Sequence, residues 1–291
     1  MHASTANVEP VAASCGVAGH ALVEARLADI PSLRDRPTPV GAGPLPARFL
    51  RHADEQTVVA MRAVLEAIAS SRASGTPDAD RDFSDYGVVS APCQPGRIAA
   101  AHSLTMLRSG GPVTVSPHIV PQCSLHSIAG AVSVALGMHG ANIGTSGGPD
   151  ALSEGLLASL TLLAAGVGAT SGVWFIATAW DIEPSLDADG TPIEKACEPQ
   201  TCVAVAVALT AATATATTTG RLELLEAPGR SAAWQPRLVD SPADGIRRFA
   251  RALSAIESHG EAAARWSHAL PWPGEIRLSA AAAASRLREA A

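Results

Sequence analysis

The sequence predicts an α/β protein in which a mainly parallel sheet lies between helices. Three observations carry this. Strand-like and helix-like segments alternate through most of the chain. The run Cys202 to Thr210, CVAVAVALT, is apolar at nearly every position, as a strand buried on both faces requires. Between Arg48 and Ser71, Val58, Met61, Val64, Leu65 and Ile68 recur at helical spacing.

The elements follow in order. Val8 to Leu27 reads as a strand and a short turn, and the Pro- and Gly-rich stretch Ile30 to Pro46 as irregular surface. The helix Arg48 to Ser71 ends in a polar loop that leads to a short buried strand, Tyr86 to Pro92. A helix over Ile98 to Arg108 stops at Ser109-Gly110-Gly111-Pro112. Ser124 to Leu136 is a helix of small residues, Ala129, Gly130, Ala131 and Ala135, that lets another backbone approach closely. Then come a strand near Ala141 to Gly144, a helix over Asp150 to Ala165, the apolar strand Gly172 to Ala179 and a loop over Asp181 to Gln200. After Gly220 the character changes to one strand, a helix over Ser241 to Gly260 with Ser241 as its cap, and an Ala-rich terminal helix. This divides the chain into an α/β domain over 1–219 and a strand and helix appendage over 220–291.

Composition excludes several classes. Only 16% of residues are charged and the net charge is −6, so no basic surface exists to hold a phosphate backbone, and nucleic acid is excluded as a partner. Cys15, Cys93, Cys123, Cys197 and Cys202 are odd in number and irregularly spaced, which argues for a reducing compartment rather than a disulfide framework. No signal peptide is legible at Met1, and the expected location is the cytoplasm. The apolar stretches Leu156 to Gly168 and Cys202 to Gly220 are too short or too rich in Thr to span a bilayer, which needs about 20 apolar residues.

The chemistry-bearing segment runs from Ser116 to Gly166. It holds His126-Ser-Ile-Ala-Gly-Ala-Val-Ser-Val-Ala-Leu-Gly137, then Gly140-Ala141-Asn142, then Gly147-Gly148-Pro149-Asp150, and Asp181-Ile182-Glu183-Pro184 follows the next strand. These motifs resemble the N-terminal half of β-ketoacyl synthases, and most of all the short ketosynthase-like subunits that act as chain length factors in aryl polyene type II polyketide synthases. The resemblance covers about Pro31 to Thr210. It implies a thiolase-like fold, N-terminal half only, with no cofactor and no metal. In the ungapped comparison from Asn142 to Gly166, the catalytic Cys position is Pro149, which offers neither a nucleophile nor a backbone N–H. The two family histidine patterns are also missing, since His259 and His268 sit in SHGEAA and WSHALP. The resemblance therefore implies a non-catalytic subunit that pairs with an active ketosynthase in polyketide or fatty-acid-type polyene biosynthesis. It would meet acyl carrier protein through that partner, as a hetero- or homo-dimer. His126, Asn142, Ser146, Gly147, Gly148, Pro149 and Asp150 would lie at the tunnel or the interface.

Other readings compete with this one. Gly144-Thr145-Ser146-Gly147-Gly148 matches the nucleophile elbow G-x-S-x-G of a serine esterase, with Ser146 as nucleophile, Asp181 or Asp187 as orienter and His259 or His268 as base. The plainer reading is a sharp strand-to-helix turn that needs small residues. His118, Cys123 and His126 offer three zinc-type ligands where a structural site wants four, so buried Cys and hydrogen-bonded His at a helix start is the simpler account. The glycines at 137, 140, 144, 147 and 148 miss the spacing of a dinucleotide loop. Asp150 and Glu154 read as an acid/base pair or, more simply, as a helix start favoured by the dipole. Arg247, Arg248 and Arg251 read as a carrier-protein patch or as a solvated helix face.

Overall fold

The computed structural model describes residues 11–46, 48–73, 82–145, 147–166, 170–193, 200–211, 218–226, 241–259, 266–270 and 274–281. Its elements are β1 (Val11–Arg26), α1 (Ile30–Arg34), α2 (Glu55–Ala73), β2 (Gly87–Pro92), α3 (Arg97–Gly110), α4 (Ile119–Gln122), α5 (Ser127–Leu136), β3 (Asn142–Gly144) and α6 (Ala151–Ala165). They continue as β4 (Gly172–Trp180), β5 (Ser185–Leu186), β6 (Pro192–Ile193), β7 (Thr201–Ala211), β8 (Gly220–Glu226), α7 (Pro242–His259), β9 (Trp266–Ala269) and β10 (Gly274–Ala280). Short 3-10 turns at Leu27–Asp29 and Pro112–Thr114 precede α1 and α4.

Eight strands form one sheet in the order β3-β2-β4-β7-β1-β8-β10-β9, and β5 with β6 makes a separate small hairpin. The α/β class stands, but the sheet is mixed rather than mainly parallel. Only β3-β2 and β2-β4 are parallel, and the pairings from β4 to β9 are antiparallel. The reason is local. A parallel return needs a crossover helix, and the described residues between β4 and β7 hold only the β5–β6 hairpin.

The core lies on both faces of this sheet. On one face α6 and α7 cover Val203, Val205, Val207 and Leu209 of β7 and Val173, Phe175 and Ala177 of β4. On the other, α2 and α5 cover Cys202, Ala204, Ala206 and Ala208 of β7 and Trp174 and Ile176 of β4. The period-two pattern of β7 thus sends valines to one layer and small residues to the other. Each of those fully buried valines contributes about 1.5–3 kcal/mol by leaving water. The alanine side lets α2 sit close, and α2 answers with Ala60, Ala63 and Ala67. The approach is closest at Gly19 of β1, where an added Cβ would lie 2.4 Å from Ser71 Oγ.

Element boundaries have capping causes. The helix expected from Arg48 begins at Glu55, because the buried Asp54 carboxylate accepts the Thr57 N–H at 3.1 Å. Ser241 caps α7 as expected, its hydroxyl accepting the Asp244 N–H at 3.1 Å. The chain after Gly220 joins the same sheet, since β8 pairs with β1, and α7 packs Ile246, Phe249, Leu253 and Ile256 into the layer shared with α6. Gly274 to Ala280, just before the Ala-rich terminus, forms a strand, and the Ala-rich helix expected at the end lies, after Ala281, outside the described residues. Cys15, Cys93, Cys123 and Cys202 hold free thiols, and Cys197 is outside the described residues. Among the described residues no helix is long and apolar enough to cross a membrane.

Two outcomes follow from this packing. In Gly155→Ala, helix propensity favours alanine by about 1 kcal/mol. The new Cβ would stand 2.5 Å from Ala91 Cβ and 2.7 Å from the Phe175 ring, so the clash wins and thermal melting shows a lower midpoint. A midpoint equal to or above wild type would refute the tight α6–sheet contact. His20, on β1, meets Ser254 Oγ at 3.1 Å and Glu257 at 3.8 Å, both from α7. Burial lowers its pKa below the ordinary 6.5, and Glu257 opposes the shift. The folded state therefore takes up its proton less readily than the unfolded chain. Its contribution to stability is whole above about pH 6.5 and is lost as pH falls below it. Melting from pH 7.5 to 5.5 should show wild type losing more stability than His20→Asn.

Candidate functional site

The three parallel strands end together, and their carboxyl ends build the candidate site. β2 runs into Cys93 and Gln94, β3 into Thr145 and the Gly147 turn, and β4 into Asp181 and Glu183. Backbone bonds tie the ends: Thr145 N–H donates to Ser90 O at 2.8 Å, Cys93 N–H to Thr178 O at 2.8 Å and Gln94 N–H to Gly147 O at 2.9 Å. Gly147 needs to be glycine, with φ of +100° and a would-be Cβ 2.9 Å from Leu125 Cδ2. Gln94, with φ of +50°, adopts the left-handed region without that freedom. Gly144 is held to a bare backbone for another reason, since a Cβ there would meet the Leu125 carbonyl oxygen at 2.3 Å.

Pro149 and Asp150 are exposed at the entrance to α6. Asp150 takes the cap position there without a side-chain cap hydrogen bond. Gly148 has open space where a side chain would stand. Asn142 lies at the start of β3 with its Oδ1 buried and unpaired, an oxygen that lacks a hydrogen-bond donor within the described chain. His126 is exposed and lines a different hollow, a cavity of about 410 Å³ between the residues before α2 and the face of α5. Phe49, Leu50, Pro121, Ala131 and Val134 make its walls apolar, with Asp54, Thr57 and Ser127 among its polar lining. Burial raises the Asp54 pKa, and hydrogen bonds from Thr57 and Ser127 oppose that shift.

Sequence reasoning missed Cys93. It lies within this cluster of strand ends, but burial and then the Glu183 carboxylate push its thiol up to about 11, with Arg97 opposing. It is not a thiolate at neutral pH. Only its place one residue past a buried strand could have pointed to it.

The described residues of the esterase constellation are not brought together. Ser146 lies outside the described residues, but its neighbours Thr145 and Gly147 stand beside edge strand β3, while His268 is on β9 at the opposite edge of the eight strands. At about 4.8 Å per strand that is roughly 30 Å. The His259 side chain is outside the described residues. Asp181 is gripped by the Arg247 guanidinium, Oδ2 accepting from Nη2 at 2.6 Å. Asp187 holds its own turn, accepting the Asp189 and Thr191 N–H groups at 2.9 and 2.8 Å. The zinc-type ligands also diverge: the His118 ring stacks on His52 at 4.6 Å, and Cys123 Sγ donates to Gly96 O at 3.4 Å. Arg247 is no open cation for a carrier protein, because Glu24 at 2.6 Å and Asp244 at 3.1 Å join Asp181 around it.

β3 is the edge of the sheet. Val88 N–H donates to Ala141 O at 2.7 Å and Thr145 N–H to Ser90 O at 2.8 Å, so residues 141, 143 and 145 turn their backbone toward β2. Asn142 and Gly144 therefore present theirs to the outer edge. Beside that edge the α5 face leaves Val134 73% exposed.

No protein-family model matches the sequence, and no curated protein sequence matches it. Solved structures do. A chain of the AntDE:AntF assembly, a type II PKS acyl-carrier protein in complex with its ketosynthase bound to the hexaketide, superposes with a TM-score of 0.58 at 15% identity, over 92% of this chain and 99% of that one. The fold is ketosynthase-like. A β-ketoacyl synthase from Burkholderia phymatum STM815 matches at a TM-score of 0.48 and 16% identity, over 84% of this chain and 70% of that one. The ishigamide ketosynthase/chain length factor matches at 0.44 and 16%, over 75% and 69%. At such identity the first of these establishes the ketosynthase-like fold, and the residues of this chain must speak for its chemistry.

The Arg247 clamp yields a measurable outcome. Its side chain is 22% exposed and joins β1, α7 and the end of β4 through three carboxylates. Arg247→Ala leaves those carboxylates uncompensated at partial burial, at a cost of about 1–3 kcal/mol. Urea unfolding measures it, and an unchanged midpoint would show that the cluster is a solvated ornament.

Proposed function

We propose that this chain is a non-catalytic ketosynthase-like subunit, a chain length factor that pairs with an active β-ketoacyl synthase in polyketide or fatty-acid-type polyene biosynthesis. The observation that carries the reading is the turn after β3. The chain has the ketosynthase-like fold, but Pro149 stands exposed where the resemblance puts the nucleophile, and the nearby thiol of Cys93 is held protonated. Thioester formation, decarboxylation and condensation then belong to the partner, which receives acyl carrier protein. The role of this chain is architectural. The outer edge of β3 can extend a sheet into a second subunit by backbone pairing, and α5 with Val134 supplies apolar surface beside it. His126, Asn142, Gly147, Gly148, Pro149 and Asp150, together with Ser146, would bound the partner's tunnel, and their bulk would help to set product length.

The test is a tagged pull-down from native cells, with intact mass measurement on the purified chain. Recovery of a ketosynthase with an intact Cys-His-His set in equal amount supports the reading, and recovery of the chain alone sinks it. The purified chain should take no acyl group from a malonyl or acyl thioester, and a covalent mass adduct would end the non-catalytic claim. Val134→Asp, at an exposed position, should weaken pairing at least about tenfold while leaving melting unchanged.

A further inference from the structure

The cavity between the residues before α2 and the face of α5, at about 410 Å³, has the size of a small-molecule site. Its walls are apolar, from Phe49, Leu50, Pro121, Ala131 and Val134. Most of its polar lining is turned to other tasks. Gln122 Nε2 donates to the His52 carbonyl at 2.6 Å, the Ser124 hydroxyl accepts the His126 N–H at 3.1 Å, and the His52 ring stacks on His118. Apart from the exposed His126 ring, one polar spot remains, made by Asp54, Thr57 and Ser127.

At that spot the carboxylate decides which way the protons point. Thr57 Oγ1 donates to Asp54 Oδ2 at 2.5 Å, Ser127 Oγ donates to the same oxygen at 3.3 Å, and the two hydroxyl oxygens lie 3.2 Å apart. The Thr57 N–H is also spent on Asp54, at 3.1 Å. These donors favour the ionised carboxylate and oppose the upward push that burial gives its pKa. A hydroxyl has one proton and two lone pairs, so with both protons turned to Asp54 the two oxygens can only accept. Asp54 and Thr57 are each 3% exposed, while Ser127 is half-buried on the cavity wall. The open acceptor is therefore Ser127 Oγ.

We infer that this cavity binds an uncharged, mainly apolar molecule through one hydroxyl group, which donates its proton to Ser127 Oγ. The inference goes beyond the pairing proposed above and does not depend on it, because every lining residue belongs to this chain. The acceptor-only spot sets the class of ligand. A carboxylate or phosphate end would meet lone pairs and the Asp54 charge, and an ether would bring no proton to the spot. An ammonium would leave most of its water behind against apolar walls, at a greater cost than a hydroxyl.

The experiment titrates octanol, its isomer heptyl methyl ether and octylammonium into the purified chain at neutral pH, with binding read from backbone amide shifts by NMR. Octanol should bind about tenfold tighter than the ether, since the two differ only in the donor, and the largest shifts should fall at Thr57, Ser127 and Ala131. Ser127→Ala should reduce that preference to within about twofold while the ether binds as before. Ala131→Leu places bulk in the cavity and should abolish binding of both, and circular dichroism checks that each variant folds. Equal affinity of octanol and the ether for wild type overturns the inference, as does octylammonium binding more tightly than octanol, binding that survives Ala131→Leu, or no binding at all. Each of these outcomes leaves the pairing to the pull-down, and failure of the pull-down leaves this titration to decide the cavity.

Discussion

Along β7, every second side chain is a valine or leucine that meets α6 and α7, and the cysteine and alanines between them meet α2. This alternation fixes the thickness of both layers. The branched residues hold one pair of helices off the sheet, and the small ones draw α2 close enough that Gly19 has no room for a Cβ. With β7 central and buried on both faces, the strands beside it inherit their surroundings. β4 becomes a second fully buried strand, and β2 and β3 follow outward as its parallel neighbours.

The position of β3 follows from that order, and it is the feature on which the functional reading turns. A three-residue strand at the sheet edge has one backbone side paired to β2 and one side facing out. The residues that follow it are pinned by close contacts with the chain around Leu125, which leaves no volume at Gly144 and little at Gly147. The shape of the turn is therefore held by close packing of its backbone against that segment. At the junction of β1, β4 and α7, carboxylates gather around Arg247.

Much of this was legible in the residues. The amphipathic repeat of α2, the small residues of α5 and the apolar runs of β4 and β7 predict those elements, because burial and periodicity are local properties of a sequence. Pro149 at the position where the resemblance puts the nucleophile is what suggests the non-catalytic reading proposed above. Less legible were the mixed sheet and the role of the C-terminal segment. Strand direction depends on whether a helix intervenes, and although Asp181 to Gln200 reads as a loop, the alternation of strands and helices elsewhere points to a parallel sheet. The strand β10 was hidden because Gly274 to Ala280 alternates too briefly to stand out from the Ala-rich end. Cys93 carries no motif, and its chemistry comes from burial beside Glu183.

The sequence by itself determined the main helices and buried strands and the acid-free run from Tyr86 to Pro149, since each is a statement about which side chains follow one another. Only the tertiary structure decided that β3 is an edge of the described sheet and that Asp181 belongs to Arg247. These are relations between residues tens to more than two hundred positions apart, set by which strands pair and which helices cover them, and no local pattern of side chains encodes such distances.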